Sequence, residues 1–85
     1  RQAVTQSKSF LSARLENLGF SVQPSAANFL LVRVGDATGW SDKLIRQGLA
    51  VRDCTSFGLP EYIRVGIRPL ADCQRLAEVM AGLTD

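Results

Sequence analysis

Tyr62-Ile63-Arg64-Val65-Gly66-Ile67-Arg68 alternates without a break. Side chains of an extended strand point to opposite faces in turn, so Ile63, Val65 and Ile67 share one face. Tyr62, Arg64, Gly66 and Arg68 share the other. The Ile/Val face must meet a core. If helices cover that face alone, the second face is open, and it carries two arginines. Two readings of it stand side by side. It is an ordinary solvated strand face, or it binds an anion, because arginine presents a planar fork of donors that pairs bidentately with carboxylate or phosphate.

Working back from this strand, Asp53 to Glu61 reads as a loop carrying Ser56, Gly58 and Pro60. Leu49 to Arg52 reads as a short strand, antiparallel to the one that follows. Arg52, with Asp53 beside it, is either half of a surface ion pair, worth little, or a second guanidinium reaching the ligand of Arg64. Asn28 to Val34 is rich in β-formers and almost continuously apolar, which predicts a strand covered on both faces for most of its length. Asn28 itself is a strand-edge side chain bonded to local backbone, or a group supporting a site. Phe20 to Gln23 suggests a short extended piece.

Helical spacing fills the rest. Val4, Lys8, Leu11, Leu15 and Leu18 recur at intervals of four and three, predicting a helix over 2–18 that Gly19 caps, with Phe20 as the apolar partner of the cap. Thr38 or Ser41 can cap a second helix running to Gln47, stopped by Gly48. Pro69 opens a terminal helix with Leu70, Cys73, Leu76, Ala77, Met80 and Leu83 inward. The expected fold is α+β: a small, mostly antiparallel sheet with helices packed on one face.

The chain has 85 residues, 46% of them hydrophobic and 21% charged, which describes one small globular domain or part of a larger one. A net charge of +2 is too small for a nucleic-acid surface, and no strand carries the paired aromatics that stack bases. No apolar run approaches the roughly 18–20 residues that cross a bilayer, so no membrane role is expected. Cys54 and Cys73 have no metal-ligand spacing and read as free thiols of a reducing, cytoplasmic compartment. The chain contains no histidine, so Cys54, Thr55 and Ser56 lack the usual base and suit turn and cap roles. Lys8 and Lys43, both on helices, are expected to be solvated. No metal is expected.

Ala50-Val51-Arg52-Asp53-Cys54-Thr55-Ser56-Phe57-Gly58-Leu59-Pro60-Glu61, running into the alternating strand to Arg68, resembles the C-terminal segment of the histidinol-phosphate aminotransferase family. That family includes the threonine-phosphate decarboxylases of cobalamin biosynthesis. Pro24-Ser25-Ala26-Ala27-Asn28-Phe29-Leu30-Leu31-Val32 is similar to the strand by which the family's chain enters its small domain, and Asp72, Arg75 and Leu76 match its terminal helix. The resemblance covers nearly the whole chain. It implies the C-terminal small domain, over 1–85, of a fold-type I enzyme that uses pyridoxal phosphate. It implies that Arg64 grips the substrate carboxylate and that Arg52 serves the substrate's distal, phosphate-bearing end. It also implies a homodimeric full-length enzyme acting on a phosphorylated or anionic amino-acid-type substrate. The segment is similar to both branches, so transamination and decarboxylation stay open. The Schiff-base lysine and the phosphate cup belong to a large domain that this sequence does not contain, so the 85 residues alone are expected to be inactive. The start at Arg1, within a helical pattern, suggests a piece of a longer polypeptide. The alternative from another class is a stand-alone regulatory domain that binds a small anion, since ferredoxin-like regulatory domains have comparable size and elements.

Overall fold

The computed structural model describes residues 2–23, 25 and 27–84. Pro24 and Ala26, which belong to the stretch that carries the resemblance, lie outside the described residues, as do Arg1 and Asp85. The chain runs α1 (Gln2–Asn17), β1 (Ser21–Gln23), β2 (Phe29–Arg33), α2 (Ala37–Arg46), β3 (Arg52–Asp53), β4 (Tyr62–Gly66) and α3 (Leu70–Leu83), with a 3-10 turn at Thr55–Phe57. The four strands form one antiparallel sheet in the order β1-β2-β4-β3.

Leu30 and Val32 of β2 join Ile63 and Val65 of β4 in a core completed by Leu11 and Leu15 of α1, Ala37 and Leu44 of α2, and Cys73, Leu76, Ala77 and Met80 of α3. All three helices therefore cover one face of the sheet, as the alternation of β4 requires. The other face is open. On β2 this corrects the expectation of burial on both faces: Leu30 and Val32 are buried, but Phe29 and Leu31 are only half-buried and Arg33 is exposed. An apolar run does not distinguish a strand buried on two faces from one whose second face is amphipathic.

α1 and α2 end alike. Gly19 adopts φ +98 and Gly48 φ +79, a region where a side chain would strain the backbone. Gly19 N–H donates to Glu16 O and Phe20 N–H to Leu15 O; Gly48 N–H donates to Ile45 O and Leu49 N–H to Leu44 O. Each pair satisfies two orphan carbonyls of the last turn and brings an apolar residue back onto the helix. Because Leu49 N–H is committed to this cap, the strand starts later than expected, at Arg52 rather than Leu49.

Two expectations on the helices are corrected. α2 is capped by Asp36, whose carboxylate accepts from Gly39 N–H at 3.1 Å, not by Thr38 or Ser41. A Cβ at position 39 would meet that carboxylate in its present rotamer and make it shift. On α1 the buried row is Ser7, Leu11 and Leu15. Val4 is exposed, and the partly buried Lys8 sends its ammonium to Ser25 O and Ala27 O. Lys8 is thus a clamp on the β1–β2 connection rather than a solvated charge.

Candidate functional site

β4 is a central strand, paired on one side with β2 and on the other with β3. Its register puts Arg64 between Leu31 and Arg52, and Gly66 opposite Phe29. Arg64 and Arg52 are therefore direct cross-strand neighbours on the open face. Like charges so placed repel, yet among the described residues neither has a carboxylate partner. The ion pairs found are Arg33–Glu61, Arg46–Asp42 and Arg68–Asp72.

Each guanidinium instead lies over an aromatic ring. The guanidinium carbon of Arg64 is 5.0 Å from the centre of Phe29, and that of Arg52 is 5.7 Å from the centre of Phe57. Such contacts are electrostatically favourable and leave the fork's edge free to donate. Arg64 is half-buried on its rigid central strand, whereas Arg52 is exposed at the sheet edge. The two line an open groove of about 870 Å³ with Asn28, Phe29, Gly66 and Arg68. Nothing lies within 4 Å of a Cβ built at Gly66, so a ligand can approach the sheet there. Asn28 is exposed on the groove, and its backbone carbonyl accepts from Ile67 N–H at 2.9 Å, extending the β2–β4 ladder.

Asp53 does not pair with Arg52. Neighbouring residues of a strand face opposite ways, so the two charges diverge. The Asp53 carboxylate accepts from the Thr38 hydroxyl at 2.7 Å, the Thr55 hydroxyl at 2.6 Å and Thr55 N–H at 3.0 Å. These bonds, with Thr55 the largest contributor, hold its carboxyl below the usual aspartate range. The sequence predicts cap and turn roles for Thr38 and Thr55, not joint partnership with Asp53. The alternation of side chains already argued against an Arg52–Asp53 pair, but nothing local pointed to Thr38.

The lysines do not suit imine chemistry. Lys8 donates to backbone carbonyls, and exposed Lys43 lies 5.5 Å from the Trp40 ring centre. Neither lysine thus fits a pyridoxal-phosphate anchor. Among the described residues no group of three or more His, Cys, Asp or Glu could hold a metal, and no helix is long and apolar enough to cross a membrane.

Comparison with known proteins assigns this fold to a family. The family model for aminotransferase class I and II matches residues 1–80, and the chain belongs to that family. Among its relatives is the histidinol-phosphate aminotransferase of Haloferax volcanii, 45% identical over 65 residues, which are 76% of this chain and 18% of that protein. Another is the histidinol-phosphate aminotransferase of Symbiobacterium thermophilum, 37% identical over 81 residues, 94% of this chain and 22% of that one. The chain thus spans about a fifth of the length of these curated relatives. A solved chain from Burkholderia pseudomallei superposes with a TM-score of 0.92 at 30% identity, covering 99% of this chain and 26% of that one. The crystal structure of histidinol-phosphate aminotransferase from Clostridium acetobutylicum shares the fold, with a TM-score of 0.88 at 21% identity over 98% of this chain and 27% of that one.

Proposed function

We propose that this chain is the C-terminal small domain of a longer pyridoxal-phosphate-dependent aminotransferase, and that its open sheet face grips a phosphorylated amino-acid-type substrate such as histidinol phosphate. The observation that carries this reading is the cross-strand pair Arg64 and Arg52, each backed by a ring and neither paired with a carboxylate among the described residues. Two adjacent guanidiniums without counter-ions favour a ligand with two anionic groups. Arg64, half-buried on the central strand, takes the substrate carboxylate. Arg52, at the edge, takes the distal phosphate, and Asn28 supports the site from the groove. The cofactor and its lysine belong to a large domain elsewhere in the full-length protein, because Lys8 and Lys43 are unsuited to the role. The family match over residues 1–80 favours this reading over a stand-alone regulatory module. The names of the relatives favour transamination over decarboxylation. The buried free thiols of Cys54 and Cys73 suit a reducing cytosol.

The test is Arg52→Ala in the full-length enzyme. A hydrogen-bonded charge is worth about 1.5–3 kcal/mol. The variant should therefore lose roughly tenfold or more in kcat/KM for histidinol phosphate, and much less for an unphosphorylated amino acid. Equal losses on the two substrates would contradict the assignment.

A further inference from the structure

We infer that Asp53, gripped by Thr38 and Thr55, is a positioning residue that aims Arg52 at the substrate's phosphate and thereby sets the preference for phosphorylated substrates. This rests on the reading of Arg52 given above and adds a cluster of residues that does not touch the substrate.

β3 pairs through only two residues, Arg52 and Asp53, and lies at the sheet edge. A strand so short, held by a ladder on one side, does not by itself fix the direction of a long exposed side chain. Asp53 supplies what the ladder lacks. Its carboxylate ties the strand end to α2 through the Thr38 hydroxyl at 2.7 Å. α2 is in turn anchored where β4 begins, since Ala37 N–H donates to Pro60 O, and Val34 and Gly35 N–H to Glu61 O. The same carboxylate takes both the hydroxyl and the N–H of Thr55, at 2.6 and 3.0 Å. Thr55 opens the 3-10 turn whose last residue, Phe57, lies 5.7 Å from the Arg52 guanidinium. Asp53 therefore governs both the root of the Arg52 side chain and the ring beneath its head. The Thr38 and Thr55 hydroxyl oxygens are also 3.3 Å apart, so both donors converge on the one carboxylate from adjacent positions.

The geometry predicts a selective defect. Thr→Val at positions 38 and 55 keeps the side-chain shape and removes the hydroxyls. In the full-length enzyme, Thr38→Val/Thr55→Val should raise KM for histidinol phosphate by about fivefold to twentyfold, with kcat within about twofold. KM for an unphosphorylated amino acid should change by less than about twofold. Thr38→Ser, which keeps the hydroxyl, should behave like wild type. If the double variant does not fold, Thr38→Val alone carries the test, with a smaller rise in the same direction. Arg52→Ala is measured beside them. If Arg52→Ala is selective for the phosphorylated substrate but the valine variants alter both substrates equally, or neither, Asp53 has a structural role only and the inference fails while the reading of Arg52 stands. If Arg52→Ala is itself unselective, that reading fails and the inference falls with it.

Discussion

The two faces of the sheet are made by the same strands, yet they obey different rules. On the covered face, Leu30, Val32, Ile63 and Val65 sit beneath three helices at 0–3% exposure. Their contribution is non-directional: burying a side chain of this kind stabilises by about 1.5–3 kcal/mol whatever its exact neighbour. On the open face, Phe29, Leu31, Arg52, Tyr62, Arg64 and Gly66 are arranged by register, and register decides which groups meet. A shift of one residue would carry Arg64 into the core and Ile63 into the groove. The covered face thus holds the pattern in place, and the open face uses the precision that results. Core packing and the placement of the arginines are separable on a single strand.

That separation can be attacked from the covered side first. Ile63→Ala should cost about 2–5 kcal/mol, because the cavity beneath the helices cannot fully collapse. If the protein does not survive this change, Ile63→Val should cost about 0.5–1.5 kcal/mol. Denaturant unfolding measures both. A loss below these ranges would mean that the covered face is not the stabilising one.

A smaller effect lies at the sheet edge and is read by pH. The three hydrogen bonds to Asp53 depress its carboxyl pKa in the folded state. A depressed carboxyl contributes stability that is fully present above its unfolded pKa of about 3.9. That stability is lost as pH falls through the lower folded value. Thermal unfolding followed downward from about pH 5 should therefore show wild type declining more steeply than Asp53→Asn, which has no such titration. Parallel curves would mean that the clamp does not hold the charged form.

What could be read in advance follows the same division. Strict alternation at Tyr62–Gly66 revealed the covered face, and Gly19 and Gly48 revealed two helix ends, because those signals are local and repeat a known backbone geometry. The placement of Arg52 beside Arg64 also followed from adjacent antiparallel strands. Long-range choices did not show. Thr38 looked like a helix cap, but its hydroxyl is committed to Asp53, and Asp36 caps instead. Lys8 looked solvated on its helix, but its long stem lets it reach carbonyls at Ser25 and Ala27. Asn28–Val34 looked buried on both sides because hydrophobicity does not tell a core contact from a ring lying under a guanidinium, as Phe29 does.

If Arg64 serves recognition and not stability, substitution of this one residue in the full-length enzyme will separate the two. Arg64→Ala and Arg64→Lys should unfold within about 0.5 kcal/mol of wild type, as expected for a change outside the core. Truncating one partner of a desolvated charge pair costs about 2–5 kcal/mol. In kcat/KM this is a loss of roughly 30- to 5,000-fold for Arg64→Ala, at about 1.4 kcal/mol per tenfold. Lysine should rescue poorly, since it keeps the charge and loses the fork. Variants that fold normally and turn over substrate at the wild-type rate and KM would show that Arg64 is not the carboxylate anchor.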